Sequence, residues 1–537
     1  MGTRFEPYEI LVPALAGLVA SCLVVYATGV YGAAISTDVI GYIAQARNLL
    51  QGNGWAGISG SPQYLYPPVF QSVLALVGLL GVDPQDSLRW VNAAAHGLTV
   101  GLLAWWVCRR FESPLVGVLT VVALVASPVH IWMASQGLSE SVFMLFVAGA
   151  LVLAERYWRR GGERAALLGF AACSALALGT RYPGAVLVPL GIGLIWLVPG
   201  LPRARRMADG ATFSALAVSI GVAWLIRNQI LVGTMFGSRS DPSANLSEVA
   251  SLYLVEMWGW LFSGTLGPGW NYAPLSIPAR GVTIVALLVI AVSAAYVFWK
   301  MLRGRVAGGW GGLLVFGGFS VLYVAFIVVT KSRVGNPEYR YLVPALPFLL
   351  VATGCLCNQA VAQFNAGGGR RVVVTMPVAC GVWLAVHAFP VTLQVLDSCR
   401  TKGTGYYSMA TYSTWQILPY LESSEFRGLL QKDTVILSTL PDAVYWKSHH
   451  TTGSLPRVGD QQEARIGTFR ATVERQAERG AETLVVAISK NADKFVPFER
   501  LAREVRFVFL REMPDHSGAV FRVLPMKTAE TPAGWNS

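Results

Sequence analysis

Charge is scarce over most of this 537-residue chain, and the scarcity is uneven. Residues 1–396 carry 24 Lys/Arg and 14 Asp/Glu, about one charged position in ten. Residues 397–537 carry 18 and 16, about one in four, which is ordinary for a water-soluble domain. With 54% hydrophobic residues and a mean hydropathy of +0.49, the long part excludes a soluble globule and reads as membrane-embedded. Cysteine is also scarce: seven residues, six of them in or beside apolar runs, exclude a disulfide scaffold. Aromatic residues are too many for a disordered chain. No Gly-rich Walker-type phosphate loop is present, which argues against an ATP-driven transporter. No soluble stretch carries an Asp-x-Asp element suited to a metal-bound nucleotide sugar, and no residue cluster calls for a metal or other cofactor. The adjacent His449 and His450 would point to opposite faces of a strand and so do not chelate one ion.

What is present is a series of apolar runs. Spans are expected at 10–31, 86–108, 113–129, 138–156, 164–180, 184–199, 210–228, 281–299, 310–330, 340–360 and 371–396, eleven in all, the first retained in the membrane. The run 67–81 is short, opens with Pro67 and Pro68, and is read as a helix lying at the outer interface. Arg109–Arg110, Arg156 to Arg164, Arg203 to Arg206, Lys300 to Arg305 and Arg370–Arg371 fall at alternate connections. The positive-inside rule places these in the cytoplasm. The N-terminus is then cytoplasmic, and residues 397–537 form an extracytoplasmic domain of an inner-membrane protein. The net charge of +12 is mostly a topology signal, so no nucleic-acid partner follows from it. Leu246–Phe262 puts Leu246, Val249, Tyr253, Leu254, Met257 and Leu261 on one stripe, the pattern of an interfacial helix or a lid.

In the C-terminal part, strands are expected at Asp433–Thr439, Glu482–Ser489, Val505–Glu512 and Gly518–Pro525, with helices at Thr411–Leu430, Gln461–Arg479 and Phe495–Arg503. The fold class is therefore a polytopic α-helical membrane protein, domain 1–396, with a small α/β domain, 397–537.

The outer side holds the candidate chemistry. Asp38 opens an amphipathic helix just beyond the first span; it is either a helix cap, a role Thr37 also suits, or a carboxylate held at the membrane surface as a general base. Outer-side cations are few, and Lys331, Arg333 and Arg340 cluster among them, with Arg181 on another loop. Any one of these alone reads as a snorkelling anchor. Glu140 lies at the outer end of a span, where an acid either pairs with Arg181 or helps bind an acceptor or a divalent ion. His130 ends the preceding span and is a candidate for the same cavity.

Several ordered motifs carry a resemblance. Asp38 is followed by Tyr42 and an Ala-rich helix, then Gly52-Asn53-Gly54-Trp55 and Tyr66-Pro67-Pro68. SQGLSESVFMLF (Ser135–Phe146), LGTRYPGAVLVP (Leu178–Pro189) and EYRYLVPALPFLL (Glu338–Leu350) follow in order. Together these resemble the GT-C glycosyltransferases, more narrowly the branch of the protein O-mannosyltransferases and the lipid A aminoarabinose transferase. The resemblance implies the GT-C fold and transfer of a sugar, with inversion, from a polyprenyl-phosphate carrier to an acceptor hydroxyl on the outer face. It implies Asp38 as general base. Lys331, Arg333, Arg340, Tyr341 and Arg181 are the candidate ligands of the carrier phosphate, and Glu140, Tyr42 and His130 the secondary acid or acceptor-side candidates. Protein mannosyltransferases commonly have Asp-Glu where this chain has Asp38-Val39, which argues against a protein acceptor of that kind and leaves a lipid, glycan or protein acceptor open. No cofactor is required by the residues seen, although some relatives use a divalent metal. The rival readings are a transporter or flippase of a lipid-linked saccharide and a non-catalytic partner in envelope assembly.

Overall fold

The computed structural model describes residues 7–237, 241–260, 310–367, 370–459, 461–489 and 492–526, together with 285 and 288. The chain divides into two compact units, 1–33 with 64–404 and 34–63 with 405–537. The second unit thus draws in residues 34–63, which the sequence pattern assigns to the membrane part.

In the first unit, eight helices among the described residues are long and apolar enough to cross a bilayer: Tyr8–Ala27, Pro84–Arg110, Pro114–Ala134, Glu140–Arg159, Arg203–Val232, Leu313–Lys331, Tyr339–Ala362 and Pro377–Thr401. Arg164–Thr180 and Tyr182–Leu197 are shorter apolar helices at two further expected spans, and the expected span 281–299 lies, but for 285 and 288, outside the described residues. Val69–Gly78 has ten residues, roughly 15 Å of helix, half of what a bilayer core needs.

Small residues let the first two long helices meet closely. A side chain added at Gly97 would lie 2.5 Å from the Gly17 carbonyl oxygen, so the backbones themselves are in contact. The basic helix ends are tied across helices: Arg109 meets Glu9 at 3.3 Å, and Arg110 meets the buried Glu155 at 3.1 Å. The helix Leu246–Trp258 begins at a capping box of Asn245 and Glu248. Val249 and Tyr253 are buried, whereas Leu246 and Leu254, expected on the same stripe, are exposed. The buried face is the narrower i, i+4 row that meets neighbouring helices. Leu261 is outside the described residues.

The second unit is built on a five-stranded sheet ordered β2-β1-β3-β5-β4, with β1 Val435–Ser438, β2 Thr452–Ser454, β3 Thr483–Ile488, β4 Val505–Glu512 and β5 Gly518–Pro525. β1 runs parallel to β2 and β3, while β5 is antiparallel to β3 and β4. Leu437, Val485 and Val523 from the sheet meet Phe469 and Val473 of the helix Gln462–Glu478 in one core. The helix expected over Thr411–Leu430 is three pieces, Ala410–Ser413, Ile417–Glu422 and Ser424–Gly428, the last restarted by a Ser423 cap. The helix expected over Phe495–Arg503 shrinks to Phe498–Leu501, behind Pro497. The short β2 and the helix Pro441–Ser448 are additions that periodicity does not announce. His449 ends that helix with φ of 58°, so the histidine pair lies in no strand. His449 and His450 go to different partners, Arg47 and the Thr434 carbonyl.

Candidate active site

Three cations in the first unit converge on one aromatic ring. Lys331 ends the span Gly318–Lys331, where the negative end of the helix favours a cation. Its Nζ stands 3.9 Å from the centre of the Tyr341 ring. The Arg340 and Arg181 guanidinium carbons lie 5.2 and 5.9 Å from the same centre. These distances are within the range of cation–π attraction.

Local sequence explains how each is held. Arg181 is the extended residue that closes the helix Arg164–Thr180, and the chain turns at once into the short 3₁₀ segment Tyr182–Val186. Gly184 is needed there, because a Cβ would lie 2.5 Å from the Leu178 nitrogen. Residues 332–338 form a loop after Lys331, and Tyr339–Tyr341 then makes a single 3₁₀ turn followed by another at Val343–Ala345. The tight turns, with Pro344 inside the second, bring Arg340 and Tyr341 to the head of the helix that continues from Leu346.

Two of the three cations already face carboxylates. Arg181 pairs with Glu140 at 2.6 Å, Glu140 being fully buried at the start of its helix, and Arg181 donates to Ser139 Oγ at 3.2 Å. Arg340 pairs with Glu338 at 2.6 Å. Among the described residues, the three cations set against Glu140 and Glu338 leave the cluster one positive charge in excess. Tyr323 and Tyr253, both buried, lie within electrostatic reach of the cluster, and Trp132 packs 5.3 Å from Tyr339. Burial pushes the Tyr253 phenol above its ordinary range, and the Glu256 carboxyl likewise.

Beside this polar cluster opens a cavity of about 360 Å³ with an almost wholly apolar lining, including Met257, Trp260, Val324, Leu342 and Ala345. Leu342 follows Tyr341 directly in the chain, so charged head and apolar cavity are neighbours.

The remaining expected residues are placed differently. Arg333 is exposed, and among the described residues no hydrogen bond or ion pair joins its side chain to the cluster. His130 is buried beside His96, ring centroids 6.4 Å apart, and approaches the Val343 backbone. Among the described residues no group of three or more His, Cys, Asp or Glu is arranged to hold a metal ion. Tyr253, Tyr323, Tyr339 and Glu338 were not expected in a site; an isolated Tyr within an apolar span, as at Tyr323, is the one sequence signal that could have led there.

Asp38 and Tyr42 belong to the second unit. The helix Thr37–Leu50 is capped by Ser36, whose Oγ accepts from the Val39 N–H at 3.4 Å. Neither Asp38 nor Thr37 is therefore the cap: Asp38 is the second helical residue, half-buried, and the Thr37 hydroxyl is used elsewhere. Tyr42 is buried. Arg47, also buried, donates from Nη2 to His449 Nε2 at 3.3 Å.

Residues 66–232, just under a third of the chain, match the family model described as dolichyl-phosphate-mannose-protein mannosyltransferase. No curated protein matches by sequence. The crystal structure of ArnT from Cupriavidus metallidurans bound to undecaprenyl phosphate aligns with a TM-score of 0.62 at 14% identity, covering 96% of this chain and 98% of that one. The chain has the GT-C fold. The apo form of the Archaeoglobus fulgidus oligosaccharyltransferase aligns less closely, with a TM-score of 0.52 at 10% identity over 98% of this chain and 76% of that one. The GT-C fold, with eight long apolar helices among the described residues, makes this a multi-pass membrane protein.

Proposed function

We propose that the protein is a glycosyltransferase that moves a sugar from a polyprenyl-phosphate carrier to an acceptor hydroxyl, with inversion, at the outer face of the cytoplasmic membrane. The observation that carries this reading is the cluster around Tyr341: one unmatched positive charge beside an apolar cavity. A sugar phosphodiester on a polyprenyl chain has one negative charge and a hydrocarbon tail, which suits that pairing. The shared fold with a protein crystallised with undecaprenyl phosphate supports the same donor class. The alternating basic loops support an outer-facing site and an exported C-terminal unit.

In the reaction, the acceptor oxygen attacks the anomeric carbon while the bond from that carbon to the phosphate oxygen breaks. The electron pair goes to the phosphate, which gains a second negative charge, and the acceptor proton passes to the Asp38 carboxylate. Lys331, Arg340 and Arg181 would stabilise the charge that develops on the leaving phosphate, with Tyr341 as the ring that gathers them. The two Glu partners hold Arg181 and Arg340 in place without cancelling Lys331. Asp38 is half-buried, and a half-exposed carboxylate reaches both water and an acceptor.

The test is binding of undecaprenyl phosphate to the full-length protein in nanodiscs, followed by thermal shift or tryptophan fluorescence. Wild type should bind, Arg340→Ala and Lys331→Ala should each weaken binding about ten-fold or more, as loss of a charge-assisted contact does, and Arg333→Ala should not. Unchanged affinity in both of the first two variants would remove the phosphate site.

A further inference from the structure

We propose that Asp442 is a positioning residue for the candidate base: the helix Pro441–Ser448 of the C-terminal region splints the helix Thr37–Leu50 and fixes the direction of Asp38. This inference rests on the reading of Asp38 as general base. It gives the α/β domain a part in the reaction that its lack of catalytic motifs concealed.

Everything involved lies within the second unit. Asp442 is buried in the first turn of its helix. Its Oδ2 accepts from the Thr37 hydroxyl at 3.0 Å and from the Tyr407 hydroxyl at 3.0 Å. Thr37 is the residue before Asp38, so the carboxylate grips the first helical turn at its root. The grip is doubled by the backbone, since Tyr407 N–H donates to the Ile35 carbonyl at 3.1 Å, just ahead of the Ser36 cap. The Tyr407 ring stacks 5.7 Å from Trp446, one turn along the splint. Burial, with Asp442 adjacent, pushes the Tyr407 phenol up, which keeps it a proton donor at any working pH.

The far ends are joined as well. Arg47, ten residues after Thr37, meets His449, seven residues after Asp442, at 3.3 Å. The two helices therefore run side by side in the same direction and are pinned at both ends. A cap alone leaves a helix start free to fray; the Thr37–Asp442 bond, braced by Tyr407 on the same carboxylate, and the Tyr407–Ile35 backbone bond restrain it. Catalytic carboxylates need such restraint, because a displacement of about 1 Å can cost roughly 100-fold in rate.

The experiment compares full-length Asp442→Ala, Asp442→Asn, Thr37→Val and Tyr407→Phe in nanodiscs. Release of undecaprenyl phosphate is measured from undecaprenyl-phospho-mannose and undecaprenyl-phospho-arabinose, with bacterial membrane extract as acceptor. Hydrogen exchange of the amides of residues 37–41 is followed in parallel. Asp442→Ala should lower kcat roughly 10- to 100-fold with the donor KM unchanged, and should speed exchange at 37–41. Asp442→Asn keeps an acceptor oxygen and should restore most of kcat. If Asp442→Ala does not fold, the near-isosteric Thr37→Val and Tyr407→Phe decide, each expected to lower kcat several-fold. Wild-type kcat and wild-type exchange in those variants would overturn the proposal, as would equal loss in Asp442→Ala and Asp442→Asn. Asp38→Asn is the control: if it turns over normally, the base reading itself has failed, whereas an inactive Asp38→Asn beside a normal Thr37→Val removes only the splint.

Discussion

The two units offer ion pairs of contrasting kind. In the membrane unit the pair at the site is buried: Glu140 is fully buried and Arg181 only 13% exposed. In the α/β unit the outer pairs are wet: Arg511 with Glu425 and Arg470 with Glu474 have side chains about half exposed. The difference teaches where charge does chemical work. A pair buried among apolar helices must be matched and directed, because an unmatched partner there is expensive. A pair on the surface is screened and contributes little.

That contrast can be broken by mutation. Glu140→Gln should have the largest effect on stability, about 3–5 kcal/mol, because it leaves the Arg181 charge buried and unmatched; yield and thermal midpoint of the purified protein in detergent report it. A near wild-type midpoint would mean that Arg181 finds water or another partner. Lys331→Ala should leave the midpoint nearly unchanged yet weaken undecaprenyl phosphate binding, since Lys331 faces a ring and not a carboxylate. A large fall in stability there would mark it as structural.

Smaller still is the response of the α/β unit to acid. The Arg500 hydrogen bond holds the Glu504 carboxyl below its usual range. A lowered folded-state value means stability that is present above the ordinary carboxylate range, about pH 4, and is lost as pH falls through the lowered value. Glu504→Gln should therefore flatten the fall in thermal midpoint of the full-length protein between about pH 5 and pH 3. An unchanged slope would assign the fall to other acids. Arg511→Ala should be smallest of all, with no measurable shift of the midpoint at moderate salt; a clear shift would contradict the view that this unit's surface pairs are weak.

The eight long apolar helices among the described residues were legible because burial in lipid demands long apolar runs, and the sequence displays them without tertiary help. Val505–Glu512 and Gly518–Pro525 were equally readable, being β-branched and aromatic runs between turn residues. Helix starts were harder. Ser36, Thr37 and Asp38 are all competent caps, and only the backbone decides among them; it chose Ser36. The three-piece Ala410–Gly428 region also defeats periodicity, since its breaks depend on packing. In the site, Arg181, Lys331, Arg340 and Tyr341 were nameable from residue type and placement. Their meeting at one ring was not, because the partners are scattered over more than a hundred residues. Asp442 was invisible for the same reason: its bond to Thr37 spans 405 positions. Arg333 shows the converse. Its proximity in sequence to Arg340 did not bring it into the cluster.

Sugar transfer from a lipid phosphate, with Asp38 taking the acceptor proton, is tested most directly by two readouts on Asp38→Asn in nanodiscs. These are undecaprenyl phosphate binding, and release of undecaprenyl phosphate from its mannosyl and arabinosyl forms with bacterial membrane extract as acceptor. Binding at wild-type affinity with turnover reduced by roughly 10²–10⁴-fold is the predicted result, the range general-base loss produces. Turnover close to wild type in a folded Asp38→Asn protein would contradict it.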